Sequence, residues 1–272
     1  MGGPSCKAVF AFFLNHYMSP IIFTRKGIPF FHSKTPLEFQ QDVYERYDEM
    51  VVRQSALHLA DALWDCYPFK SVFDFAESHY PDKDKGHILE IGCGVGRWIA
   101  TLAKSYPTAH CWGIDYSYQM LKRAKEYWKD GADILIDLTA RGLPLQSLQG
   151  ERIDNLDFGL AKAESLPFDD NSQDLVVSSF LLDRLEKPKK GLEEMYRVLK
   201  PNRKIIIVTP LNFSRSDHWK LYYPASQLSS IIEEIGFEIL DWQEDVEIRV
   251  PLDYHGSAVV WSCLAVVGRK LL

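Results

Sequence analysis

The sequence predicts an α/β domain built on a doubly wound, mainly parallel sheet. Three observations carry that expectation. From His87 onward, short apolar runs alternate with amphipathic helical stretches. A glycine-rich turn, Gly92-Cys93-Gly94-Val95-Gly96, joins the first run to the first helix. The second run ends in an acid, Asp115, at the carboxyl end of a strand, where folds of this topology meet their ligands.

The elements follow in order. Residues 1 to about 36 are aromatic-rich and irregular, interrupted by Pro20, Gly27 and Pro29. Lys7 before the apolar residues 8–14 imitates a signal peptide, but no small-residue cleavage site follows and the run is too short to span a bilayer. Met1-Gly2 opens like a myristoylation site, with Cys6 where Ser or Thr is required. The run is therefore read as an ordinary buried helix or strand. Thr35-Pro36 opens a helix, with Thr35 as cap and Glu38 three residues on. Val43, Tyr47, Val51, Leu57, Leu59 and Leu63 continue at helical spacing. Residues 1–85 thus read as a helical N-terminal extension, ending in a polar linker over 81–86 and serving as a lid.

Residues 86–272 carry the alternating pattern. Strands are predicted at 87–91, 110–115, 156–161, 175–179, 204–209, 237–242 and 259–267. Helices are predicted at 97–106, 118–129, 192–199 and 226–235. Residues 131–155 do not fit the rhythm. A short loop would suffice there, yet the segment holds Ile134, Leu135, Ile136, Leu143, Leu145 and Leu148, so it reads as an ordered insertion.

Bulk composition narrows the function. Lys and Arg number 31 against 37 Asp and Glu, a formal charge of -6. A protein that tracks phosphates carries a basic surplus or stripe; here neither exists, and Lys187, Lys189 and Lys190 read as a solvated loop. Nucleic acid is thereby demoted as a partner. The five cysteines, Cys6, Cys66, Cys93, Cys111 and Cys263, are scattered without ligand spacing. They read as reduced, packed thiols of a cytoplasmic protein with no metal site; no stable membrane insertion is expected, and a homodimer is open.

The chemistry is concentrated at 88–98. The dinucleotide fingerprint is G-x-G-x-x-G with pyrophosphate on the helix N-terminus. Here the spacing is Gly92, Gly94, Gly96, and the third dinucleotide glycine would fall on Arg97. Glu90 precedes the loop, and a carboxylate there suits a cationic ligand better than a pyrophosphate. S-adenosylmethionine carries a sulfonium and an ammonium. Asp115, about twenty residues on, can accept two ribose hydroxyls; the competing reading is that it only caps the next helix, a task Ser117 could perform.

With these residues in place, 86–211 resembles the class I S-adenosylmethionine-dependent methyltransferases, in their small-molecule branch. The resemblance is carried by residues 90–96, 113–117, Ala163-Glu164-Ser165-Leu166-Pro167-Phe168, and 193–201 leading into 204–209. It implies a Rossmann-like, seven-stranded sheet with a reversed last strand. It implies Glu90, Gly92, Cys93, Gly94 and Gly96 near the amino-acid and sulfonium end of the cofactor and Asp115 on the ribose. It sets Tyr116 and Met120 beside the adenine and Ala163 and Glu164 at its edge. One position departs from the pattern: Lys162 stands where the family often has an acid contacting the adenine amino group.

Three loops would share the carboxyl face: 178–185, whose Ser179 is a further cofactor-binding candidate, 210–225 and 243–257. They hold Asp183, Asn212, His218, Trp219, Tyr222, Tyr223, Arg249, Asp253, Tyr254 and His255, an aromatic, mildly polar set suited to a planar or amphiphilic small molecule. His255 and His218 are the candidate bases. Tyr47 and Arg53, on the lid, are candidates for the cofactor carboxylate. The expected activity is O- or N-methylation of a small molecule. Its alternatives are a protein, peptide or tRNA methyltransferase and a non-catalytic cofactor-binding partner. Ser178-Ser179-Phe180-Leu181 replaces the Asn/Asp-Pro-Pro-Tyr run of exocyclic-amine methylation.

Overall fold

The computed structural model describes residues 19–64, 66–82 and 86–272. The apolar run at 8–14 and the Met1-Gly2 motif lie outside the described residues.

The centre is a parallel sheet. β3 (His87–Ile91) pairs with β4 (His110–Asp115) on one side and β8 (Gln173–Ser179) on the other, and β4 pairs in turn with β7 (Leu156–Leu160). β9 (Leu199–Thr209) continues beyond β8, parallel to it. β11 (Ala258–Lys270) then inserts antiparallel between β9 and β10 (Phe237–Pro251). These seven strands, in the order β7-β4-β3-β8-β9-β11-β10, form a doubly wound sheet with its last strand reversed.

The expectation of seven strands is nevertheless too low. β1 (Phe23–Arg25) and β2 (Ile28–Phe30) add a hairpin to the β7 edge, giving nine. The extension is therefore not purely helical. Lys26 and Gly27 both take positive φ, 47° and 77°, the turn that matches strand twist in a two-residue hairpin. Phe23 stacks on Phe30 at 4.3 Å, Ile28 is buried, and Phe30 aligns with Leu160 in parallel register. Three-residue strands are too short for their alternation to be read in a sequence.

Helices cover both faces. α1 (Pro36–Gln41), α2 (Val43–Arg46), α3 (Asp48–Leu59) and α4 (Lys70–Glu77) precede the sheet's central strands; α3 and α4 pack with α5 (Arg97–Ser105) and α6 (Tyr118–Trp128) in one core layer. α7 (Pro188–Val198), α8 (Ser216–Tyr222) and α9 (Ala225–Ile235) form the other. Thr35 and Glu38 make a reciprocal capping box at α1. Lys189 and Lys190, read as loop, lie in the first turn of α7, where Pro188 suits the missing donor of N1.

The single helix expected from residue 36 is three. Asp42 and Tyr47 are extended, and the Asp42 carboxylate caps α2 by accepting from the Tyr44 and Glu45 amides. Each break shifts the helical phase, so Val43 and Tyr47 turn outward while Val51, Leu57 and Leu59 are buried. Residues 131–155 hold a separate hairpin, β5 (Ile134–Ile136) and β6 (Gln146–Leu148), with a 3₁₀ turn at Thr139–Arg141. Ile134, Ile136, Leu138 and Leu143 join the core.

β10 and β11 outrun the sheet. β11 pairs with β9 only as far as Leu264 opposite Thr209. Beyond that, 258–263 and 246–251 pair only with each other. The result is a ribbon projecting roughly 20 Å past the carboxyl ends of the parallel strands. It bridges two other parts of the chain: Ser71 Oγ donates to the Glu247 carbonyl, and the Tyr254 amide donates to the Arg141 carbonyl. Among the described residues no helix is long and apolar enough to cross a membrane.

Candidate active site

The glycine loop is laced to the neighbouring strand. The Gly92 and Cys93 amides both donate to the Ile114 carbonyl, at 2.7 and 3.0 Å. Gly92, Gly94 and Gly96 take φ of 76°, 54° and 79°, a region that costs any L side chain strain. Gly96 has a second constraint, because a Cβ there would lie 2.8 Å from Phe158. Its αL conformation then starts α5.

Two carboxylates flank the loop, Glu90 buried and Asp115 half-buried. Asp115 Oδ2 accepts from the Gly94 amide and Oδ1 from the Ser117 amide, both at 2.8 Å. Ser117 Oγ caps α6 by accepting from the Met120 amide, which leaves Asp115 as a brace of the loop rather than a simple cap. A carboxylate has about four acceptor positions, so capacity remains for two further donors. Glu90 lies beneath the loop, where Oε2 accepts from Ile99, an otherwise unsatisfied first-turn amide of α5, at 2.8 Å. Burial pushes the Glu90 carboxyl well above the carboxylate range, and the Asp115 charge adds to the rise. Burial also raises Asp115. A pair of desolvated acids around an open-backbone turn is a site that favours a cation.

Tyr116 lies just before the Ser117 cap of α6, and Met120 in its first turn. The Met120 methyl would lie 3.3 Å from a Cβ on Gly94. The Tyr116 ring has the Lys34 ammonium 4.3 Å from its centre, with Lys162 at 5.6 Å and the His32 ring at 5.7 Å. Lys162, the departure from the family pattern, pairs with Glu38 of α1, so it anchors the N-terminal helices. Lys34 bridges Asp42 and Glu45, and Glu45 accepts from the Tyr118 amide at 2.6 Å. Ala163 is buried on the following loop; Glu164 accepts from the Lys187 amide at 3.4 Å.

In the N-terminal segment, Tyr47 faces outward with the Arg46 guanidinium stacked 4.8 Å from its ring centre. Tyr44, which the helical reading missed, turns inward instead: burial and the nearby Asp115 charge raise its phenol, and Arg53 and Arg184 lie within electrostatic reach. Arg53 itself is half-buried on α3. Ser179 ends β8, and Phe180 leaves it at φ 54° while its amide donates to Val208. His218 is enclosed by the Phe213 and Tyr222 rings at 5.9 and 5.7 Å. His255 is exposed near the ribbon tip. Among the described residues no hydrogen bond joins either histidine to the glycine loop or to Asp115, nor is any group of three metal-ligating side chains assembled.

Residues 89–207 match a protein-family profile described as "Methyltransferase domain". The chain is 36% identical over 120 residues to a demethylmenaquinone methyltransferase of Clavibacter sepedonicus, covering 44% of this chain and 39% of that protein. It is 26% identical over 163 residues to the ajmaline N-methyltransferase of Rauvolfia serpentina, covering 60% and 48%. The chain thus spans less than half the length of these relatives. Among solved structures, a methyltransferase of Haloferax volcanii in complex with the activator Trm112 superposes with a TM-score of 0.59 at 17% identity, covering 85% of this chain and 98% of its own.

Proposed function

We propose that the chain, whose residues 89–207 match a methyltransferase-domain profile, is a class I S-adenosylmethionine-dependent methyltransferase that methylates a small-molecule acceptor. The observation that carries this reading is the pair of carboxylates, buried Glu90 and half-buried Asp115, around three glycines of positive φ. The cofactor supplies a methyl group activated by its positively charged sulfur. The chain's own part is to hold, orient and dry. The free lone pairs of Asp115 take the ribose hydroxyls. The glycine loop lets the backbone approach the amino-acid end while Glu90, below it, offsets positive charge. Met120 and Tyr116 flank the base. Alignment of donor and acceptor is the main catalytic contribution in such an in-line displacement.

The N-terminal residues to about 85 act in this reading as a cover over a domain of residues 86–272. Its support is the set of polar contacts between the two: Lys162 with Glu38, Arg97 with Asp61 and Arg141 with Glu49. A small-molecule acceptor is supported by the names of the relatives, which act on demethylmenaquinone and ajmaline, and by the acidic net charge.

Titration calorimetry with S-adenosylmethionine and, in parallel, NADH tests the cofactor assignment. Micromolar binding of the first and none of the second is expected. Binding of NADH alone would sink the reading. Cofactor binding with no turnover across a broad acceptor panel would favour a binding protein over an enzyme.

A further inference from the structure

A row of aromatic rings runs from the N-terminal helices to the base of the ribbon, alongside the glycine loop. The His58 ring on α3 lies 4.6 Å from that of Phe69. Phe69 meets Phe180 edge-on at 5.3 Å, and Phe180 meets Trp261 of the ribbon edge-on at 6.3 Å. Two contacts tie this row to the loop. Leu181, next to Phe180, packs over Gly92, 3.1 Å from where a Cβ would stand. Arg97, the first residue of α5, donates to the His58 carbonyl and sets its guanidinium 4.8 Å from the centre of Tyr67. Phe69 is buried, whereas His58, Tyr67, Phe180 and Trp261 keep part of their surfaces open.

The row has one polar feature. His58 Nδ1 lies 2.8 Å from the Tyr67 hydroxyl, while Nε2 makes no hydrogen bond among the described residues. Burial, with Arg97 adding to it, lowers the imidazole pKa to about 4, so the ring is neutral. The other charges facing the cluster, Asp61 and Glu90, act through Arg97 and Tyr67. With Nδ1–H donating to the Tyr67 oxygen, Nε2 is an acceptor.

We propose that this row is the acceptor subsite, that it takes a planar aromatic molecule bearing a hydroxyl or amino group, and that His58 Nε2 accepts a hydrogen bond from that group. The inference rests on the methyl-transfer reading above and adds the substrate class. The partly open rings of Phe180 and Trp261, backed by buried Phe69, supply offset or edge-on stacking, and His58 sets which substituent points toward the glycine loop.

The test uses the full chain saturated with S-adenosylhomocysteine and titrated with 1-naphthol or its methyl ether, which lacks the donor. Naphthol should bind about tenfold tighter, the worth of one hydrogen bond. His58→Phe should erase that preference while leaving ether binding and cofactor affinity unchanged. Trp261→Ala should weaken both probes at least tenfold. Should His58→Phe fail to fold, side-chain ¹⁵N resonances of the wild-type histidine decide: an Nδ1–H tautomer that responds to naphthol supports the role, and an Nε2–H tautomer overturns it. Equal binding of the two probes overturns the role of His58. Failure of both probes to bind, with cofactor affinity intact, overturns the subsite but leaves methyl transfer standing. Failure of the wild-type chain to bind the cofactor removes the reading on which both rest.

Discussion

Asp115 commits one oxygen to Gly94 and the other to Ser117, so its removal touches both loop and ligand. Asp115→Ala should raise the dissociation constant for S-adenosylmethionine at least tenfold and cost about 1–3 kcal/mol of stability through two orphaned amides. Calorimetry on a variant with a native circular dichroism spectrum reads the first, and an unchanged affinity would reduce Asp115 to a brace. Glu90 carries a pH signature. Burial raises its folded pKa above the unfolded value of about 4.3, so the folded chain keeps a proton that the unfolded chain releases. The resulting contribution is intact at low pH and is lost as pH rises above about 4. The melting temperature of Glu90→Gln, relative to wild type without cofactor, should therefore climb from pH 5 to pH 8; a constant offset would contradict the assignment. The glycines and both acids were legible in the sequence because a tight turn and a strand-end carboxylate each demand particular residue types at fixed spacing. Tyr44 was not legible: Asp42 and Tyr47, either side of it, leave the helix and rotate it inward. His58 has no local signal, since its meaning comes from Tyr67 and Phe69, beyond a break in the chain's direction.

At the level of elements, the contacts holding α1 and α2 to the sheet domain include the Lys162–Glu38 pair and the Glu45 carboxylate on the Tyr118 amide. The ion pair is partly exposed, with side chains 29% and 22% accessible, and such pairs contribute at most about 1 kcal/mol. Lys162→Ala should thus barely lower the melting temperature while hydrogen exchange over 36–46 accelerates several-fold, more so at low salt, where the intact pair is strongest. Unaltered exchange would mean that Glu45 alone holds these helices. The capping box at Thr35 and the helices of the sheet domain were readable from periodicity. The β1–β2 hairpin was not, being two three-residue strands held by one turn and by β7. The ribbon was foreshortened because two register shifts, at 239/241 and 243/246, interrupt the alternation before the outer half resumes it.

For the molecule as a whole, the doubly wound parallel sheet followed from the alternation of runs and helices, and the reversed last strand from the resemblance. What the pattern could not convey is where long-range pairings close. Phe30 must find Leu160, and Ser71 must find Glu247. The first of these has a consequence in time rather than space. During synthesis, at about 5–20 residues per second, Phe30 leaves the ribosome on the order of ten seconds before Leu160 exists. For that interval the hairpin carries an unsatisfied edge and two aromatic rings with nothing to dock on. A nascent chain of this kind should engage holding chaperones early and release them only when β7 has emerged.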